Sequence, residues 1–191
     1  MAHRLLTLLL AVHAAALGAQ TGGPPPLNFL GFQAGQSLDA VDRQVHALGG
    51  KRLRCDRSKR DRTVAECRAI VVEPGSGRSI NLWLSAVDSS SSVLTLSADV
   101  NGIELDAWRS RLEQDFGVVN ATVQGPQWML QWVRRGRMLR LTWRIERGEK
   151  TASVSLVDGR VLDQWGRRKA LWRQAPAAAP KDSAADSAAG R

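Results

Sequence analysis

The chain has 191 residues, which is enough for one domain or for two small modules that share a core. It carries 27 Lys and Arg against 18 Asp and Glu, a net charge of +9, and 22 of the basic residues are arginine. Two cysteines and three histidines are too few, and too widely spaced, for a metal site built from paired Cys and His ligands, so we expect no metal and no other cofactor.

The first nineteen residues have the pattern of a secretory signal peptide. A basic start at Met1–Arg4 is followed by an apolar run over Leu5–Leu17 and by the small residues before Gln20. A retained membrane anchor is the alternative, but it needs about 20 apolar residues, and this run is shorter. We expect cleavage near Ala19, export to the periplasm or out of the cell, and a flexible Gly/Pro linker over 20–27.

Residues 28–98 predict a helix followed by four strands. Leu38, Val41, Val45 and Leu48 recur at helical spacing, and Gly49 provides a stop signal. Alternating apolar and polar residues then predict half-buried strands, separated by turn signals. These strands are Lys51–Asp56, Val64–Val72, Ser79–Val87 and Ser92–Ala98.

The two cysteines predict one disulfide in an oxidising compartment, and a pair of buried free thiols is the alternative. Cys55 and Cys67 share a strand face with apolar residues, whereas Arg and Glu alternate on the opposite face. Two such strands, joined by the charged loop at 56–63, form a hairpin whose cross-strand neighbours lie at disulfide distance.

Residues 99–173 repeat this plan. Gly, Leu, Asp and Ala of Gly35–Val41 recur at a constant offset of 67 in Gly102–Trp108, which begins a second amphipathic helix. Four further alternating runs follow. They are Val118–Val123, Gln127–Arg134, Arg137–Glu146 and Thr151–Val157. The predicted fold class is therefore α+β, with two tandem repeats of a helix and about four antiparallel strands packed as a helix-on-sheet sandwich. The Ala-rich tail over 174–191 is expected to be disordered.

The segment Gly35-x-Ser37-Leu38-x-x-Val41, ending in Leu48-Gly49-Gly50, resembles the opening of an exported outer-membrane-assembly lipoprotein module, the SmpA/OmlA family. The tandem arrangement is similar to the β-lactamase inhibitory protein-like fold. This resemblance implies a module that binds another protein in the cell envelope or outside the cell. It assigns no binding residues to this chain.

The sequence shows no motif that predicts catalysis, and we expect no enzyme. His46 is the one histidine that remains after signal cleavage, and its place near a helix end suits interaction with the helix dipole. A hydrolase that uses only Asp, Glu and Ser remains as a third alternative to the binding functions.

Tryptophans and arginines provide the candidate binding site. Trp83 falls on the face opposite the apolar residues of its strand, and Arg140 and Arg144 alternate with apolar residues on theirs. Arginine beside exposed tryptophan is typical of interface hot spots, so we expect an acidic protein partner at this face. An anionic glycan or lipid is the alternative partner, and nucleic acid is not expected for an exported protein. The pattern places Trp108, Trp128, Trp132 and Trp143 in the core.

Overall fold

The computed structural model describes residues 24–146 and 148–174. The predicted signal segment, residues 20–23 of the linker, and the predicted tail apart from Gln174 lie outside these residues. The helices are α1 (Leu38–Ala47), α2 (Gly102–Phe116) and α3 (Gly159–Gln174). The strands are β1 (Arg54–Arg57), β2 (Val64–Val72), β3 (Ser79–Val87), β4 (Ser90–Val100), β5 (Thr122–Gln124), β6 (Gln127–Arg134), β7 (Arg137–Glu146) and β8 (Glu149–Asp158). No helix in the described residues is long and apolar enough to cross a bilayer.

All eight strands form one antiparallel sheet in the order β1-β2-β3-β4-β8-β7-β6-β5. The fold is therefore α+β, as predicted, but the strands of the described residues form a single sheet. The central pair is β4 with β8, which are paired from Val93 with Val157 to Val100 with Lys150. Joining these two strands removes the unpaired edge that each four-stranded group would otherwise expose.

Four predicted strands, now β2, β3, β6 and β7, agree with the structure residue for residue. Two edge strands are shorter than predicted or displaced. Strand β1 begins at Arg54 instead of Lys51, and β5 covers only Thr122–Gln124 instead of Val118–Val123. An edge strand is hydrogen-bonded on one side only, so an alternating pattern alone does not determine where its pairing stops.

Helices α1 and α2 contribute apolar residues to the core. The Ser37 hydroxyl caps α1 by accepting from the Ala40 backbone N–H, and Val41 and Val45 are fully buried. Helix α2 begins with a capping box between Asn101 and Glu104. The core cluster combines its Leu105, Trp108, Leu112 and Phe116 with the inward residues of the sheet. Leu27, the last residue of the predicted linker, is also buried there.

Helix α3 is not predicted by the sequence pattern. None of its described residues belongs to the core cluster. Its start is held by the buried carboxylate of Asp158, which accepts from the Arg160 backbone N–H at 3.0 Å. The same carboxylate accepts from Arg137 Nε at 2.8 Å and from Arg160 Nη2 at 2.9 Å. Burial by itself would raise the pKa of Asp158, but these hydrogen bonds outweigh it and hold the pKa well below its usual range.

A second buried carboxylate, that of Glu73, links α2 to the turn between β2 and β3. Glu73 Oε1 accepts from the Trp108 indole N–H at 2.6 Å, and Oε2 accepts from Arg78 Nη2 at 2.7 Å and from the Ser76 hydroxyl at 2.6 Å. Arg78 also pairs with Glu104 at 2.7 Å. Burial acts to raise the pKa of Glu73, but the bonds from Ser76, Trp108 and Arg78 together lower it.

Candidate binding face

The sheet face opposite α1 and α2 carries the predicted tryptophan. Along β3 the residues alternate between buried and exposed, and Trp83 is 36% exposed between the buried Leu82 and Leu84. Trp83 lies directly opposite Arg68 of β2, and Arg68 lies opposite Arg54 of β1. Directly opposed residues on neighbouring strands have Cβ atoms about 4.5–5.5 Å apart, so the three side chains form one row. We call this row of Arg54, Arg68 and Trp83 the Arg–Arg–Trp row.

The disulfide holds the outer end of this row in place. Cys55 and Cys67 are directly opposed on β1 and β2, and their sulfurs are bonded at 2.04 Å. They adjoin Arg54 and Arg68 in sequence, and Cys67 is fully buried on the inner face of the sheet. Strand β1 has four residues and lies at the edge of the sheet, so this covalent link keeps Arg54 beside Arg68.

Arg140 continues the same row across the centre of the sheet. The pairing registers run from Trp83 through Thr95 and Ser155 to Arg140. Three strand spacings separate Trp83 from Arg140, which corresponds to about 14 Å. Arg140 Nε and Nη2 both donate to Gln131 Oε1, at 3.1 and 2.7 Å, so the side chain is held against β6.

Arg144 lies on the same face as Arg140 but further along β7. It is exposed and is opposed by Gln127 and Thr151. Four residues of extended chain span about 13 Å. The three predicted site residues therefore share one face, but they are spread over it and do not converge on a single point.

A groove of about 280 Å³ crosses this face from β4 to β5. Arg140, Thr142 and Ser155 provide polar groups in its wall, and Met129 and Met138 provide apolar surface. Neither Trp83 nor Arg144 lines the groove. The face thus has two distinct parts, an open Arg–Arg–Trp row and a groove with one arginine.

The charge of this face is more balanced than the sequence suggests. Asp56 and Glu66 lie opposite one another on β1 and β2, one same-face position beyond Arg54 and Arg68. Asp99 lies opposite Thr151 and accepts from its hydroxyl at 3.0 Å. Carboxylates therefore adjoin the Arg–Arg–Trp row, and Arg140 and Arg144 carry the positive charge in the other half of the face.

Sequence reasoning did not single out Arg54 and Arg68. Their alternation with the cysteines placed them outward, and that signal was visible. Their position next to Trp83 depends on which strands pair and in which register, and the pattern of one strand does not contain that information.

The tryptophans predicted to lie in the core show one correction. Trp108 and Trp132 are buried and Trp143 packs against the core, but Trp128 is 44% exposed. Its ring stacks on Trp143 at a centroid distance of 6.2 Å. Trp128 points to the inner face, but its partner Val123 on the short edge strand β5 is itself exposed, so burial there is incomplete.

His46 lies away from this face on α1, where its Nε2 is 3.6 Å from the Asp42 carboxylate one helical turn earlier. Both side chains are substantially exposed. Among residues 24–146 and 148–174, no three His, Cys, Asp or Glu side chains are grouped so that they could hold a metal ion. Neither a protein-family model, nor a curated protein, nor a solved structure matches this chain.

Proposed function

We propose that this chain is an exported, non-catalytic binding module whose outer sheet face recognises an acidic protein in the cell envelope or outside the cell. The observation that carries this proposal is the Arg–Arg–Trp row, where two exposed arginines lie in line on one side of a partly exposed tryptophan. An aromatic ring with neighbouring arginines supplies both apolar area and charge, and residues of these types dominate interface energetics.

Export is supported by the signal-like segment and by the disulfide. Disulfides persist in oxidising compartments such as the periplasm and are rare in the cytosol. The disulfide links the edge strand β1 to β2 next to Arg54 and Arg68. Formation of the disulfide would therefore help to hold the proposed surface in place.

We further propose that the domain is a duplicated unit of one helix and four strands, with α1 and α2 packed on a common sheet. The element order repeats, with α1 before β1–β4 and α2 before β5–β8. The recurrence of Gly35–Val41 at Gly102–Trp108 supports the same origin. The buried residues Val41 and Leu112, which share the core with inward sheet residues, support the packing.

The open form of the face at Trp83 favours a protein partner over a small ligand. Small-molecule sites are concave and enclose most of their ligand. Trp83 does not line the groove, and its directly opposed neighbours on the two adjoining strands are Arg68 and Thr95. A partner that presents a carboxylate beside an apolar contact would match both the ring and the guanidinium groups.

Site-specific photo-crosslinking tests this proposal. A photoreactive amino acid is introduced at position 83 in the chain exported by its host, and at position 103 as a control, because Ile103 is highly exposed but lies on α2. We expect one abundant crosslinked protein from position 83 that position 103 does not capture. With the purified pair, Trp83→Ala should weaken binding about 30-fold, the value for a hot-spot loss of about 2 kcal/mol. Equal crosslinking from both positions, or unchanged affinity for Trp83→Ala and Arg68→Glu, would reject this face as the interface.

The groove supports a second candidate, an envelope binder of an anionic glycan or lipid. Its volume suits a small group, and Arg140 provides a positive charge in a wall that also contains Met129 and Met138. Isothermal titration calorimetry should then detect salt-sensitive binding of anionic ligands, and Arg140→Ala should abolish this response. Arg144→Ala, which leaves the groove lining intact, is the matched control. A response that survives Arg140→Ala would exclude the groove as its source.

A further inference from the structure

A dense cluster of positive charge lies at one corner of the molecule, on residues that do not line the groove. Residues 51–62, which include β1 and the loop to β2, contain seven Lys or Arg and only two acidic residues, Asp56 and Asp61. Four of the basic residues are exposed near the loop, and α3 adds a lysine and an exposed tryptophan beside them. We call this surface the basic corner, and its residues are Arg57, Lys59, Arg60, Arg62, Lys169 and Trp172.

Asp61 joins the two parts of the basic corner. Its Oδ2 accepts from the Trp165 indole N–H at 3.0 Å and lies 3.1 Å from Lys169 Nζ, so α3 is held against the loop. Its Oδ1 accepts from the Thr63 hydroxyl at 2.6 Å. The bonds from Thr63, Trp165 and Lys169 hold the pKa of Asp61 well below its usual range. The carboxylate of Asp61 is therefore engaged by groups of the protein itself, whereas the side chains of Arg60 and Arg62 are exposed to solvent.

Apolar side chains are exposed beside these charges. Leu171 and Trp172, in the last turn described for α3, are 65% and 62% exposed. Trp172 lines a cleft of about 500 Å³ together with Arg60, Arg62 and Lys169. A second cleft between Arg57, Lys59 and Arg62 adjoins it through Arg62.

Exposed tryptophan and leucine next to clustered cations suit the surface of an anionic bilayer. Indole rings settle at the level of the headgroups, aliphatic side chains enter the acyl boundary, and Lys and Arg are attracted by anionic lipids. A soluble acidic polymer would use the cations and the indole ring, but it offers no place for Leu171. Charge and apolar exposure together therefore favour a lipid surface.

We propose that the basic corner and the exposed end of α3 form a docking surface for bilayers that contain anionic phospholipid. The proposal does not rest on the Arg–Arg–Trp row, because it uses different residues. Each basic residue near an anionic membrane strengthens binding about fivefold. Arg60→Ala with Arg62→Ala should thus weaken binding about 25-fold. Trp172→Ala should weaken it about tenfold, because the indole contributes a large apolar area.

Vesicle co-sedimentation of the exported full chain tests this proposal. The vesicles contain phosphatidylglycerol with phosphatidylcholine, or phosphatidylcholine alone. We expect binding to the anionic vesicles only, a decrease with added salt, and the losses given above for the two corner variants. Arg111→Ala and Ile103→Ala are the matched controls, since both residues are exposed on α2 outside the proposed surfaces, and these variants should bind like the wild type.

Three results would overturn the proposal. The first is an absence of binding to anionic vesicles. The second is wild-type binding by Trp172→Ala or by the double arginine variant. The third is binding to a soluble polyanion such as heparin that depends on Arg60 and Arg62 without any binding to vesicles, which would assign the corner to an acidic polymer. Because all substituted side chains are exposed, far-UV circular dichroism should show the same fold for each variant.

Discussion

The buried carboxylate of Glu73 is a sensitive point of the fold, and Glu73→Ala tests this interpretation. The side chain is 7% exposed and accepts four hydrogen bonds, one from Ser76, two from Arg78 and one from Trp108. Alanine removes every acceptor at once, so the buried indole N–H loses its partner and the largely buried Arg78 guanidinium keeps only Glu104 as a carboxylate partner. Breaking a buried charge pair by removing one member costs about 3–5 kcal/mol.

A loss of about 3–5 kcal/mol is a large fraction of the free energy of unfolding, which is about 5–15 kcal/mol for a domain of this size. It corresponds to a fall in the melting temperature of about 6–20 °C. Urea unfolding followed by far-UV circular dichroism measures the free energy, and Asp106→Ala, an exposed change on the same helix as Trp108, should stay within about 0.5 kcal/mol of the wild type. Equal stabilities for Glu73→Ala and Asp106→Ala would refute the reasoning.

Trp108→Phe measures how much the hydrogen bond from the Trp108 indole N–H to Glu73 contributes to the free energy of unfolding. It keeps an aromatic ring but leaves Glu73 Oε1 without its donor, so we expect a loss of about 1–3 kcal/mol. In the double variant with Glu73→Ala the losses should be less than additive, since both changes remove the same bond. Additive losses would mean that the two side chains do not interact energetically.

The acid stability of Glu73→Ala provides an independent check. The pKa of Glu73 is lowered in the folded state from 4.5, so its ionised form stabilises the protein above that pH. The stabilisation is lost as the pH falls below 4.5 through the folded-state pKa. The difference in free energy of unfolding between wild type and Glu73→Ala should therefore shrink on going from neutral pH to acid. A constant difference would contradict the lowered pKa.

Two further predictions concern the disulfide and a crowded glycine. Replacing Cys55 and Cys67 together by Ala should lower the free energy of unfolding by about 3 kcal/mol, because the link closes a short loop with a sequence separation of 12. An unchanged urea midpoint would contradict this. Gly35→Ala should cost about 2–4 kcal/mol, because φ is +84° and the added Cβ would collide with Asp158 Oδ2. Gly75→Ala has φ +89° but open space, so in thermal melts it should cost only about 1–2 kcal/mol, and equal losses would exclude the collision.

Gly35 and Gly102 occupy equivalent positions in the sequence repeat, but their structural surroundings differ. Gly35 has a positive φ, and a Cβ added to it would collide with the Asp158 carboxylate. Gly102 lies at the start of α2 without a positive φ, and the nearest atom to its added Cβ is the flexible end of Lys150 at 3.3 Å. The offset of 67 predicted equivalent helix starts, but the tertiary surroundings make glycine essential at only one of them.

The sequence by itself determined the local elements and their inward and outward faces. Strands β2 and β3 follow the alternation of their residues from end to end, since a strand with one buried face repeats every two residues. The same alternation placed Trp83 outward and Cys67 inward. The strands and the direction of their side chains depend on neighbouring residues in the sequence, so the alternating pattern predicted them.

Only the tertiary structure decided which distant segments meet. Pairing of β4 with β8 merges the strands into one sheet, and the registers bring Arg68 beside Trp83. Helix α3, which the sequence did not predict, is held by contacts such as Trp165 with Asp61, which are 104 residues apart. Pairing and burial of this kind depend on the partner surface as much as on the segment, and a local pattern describes only the segment.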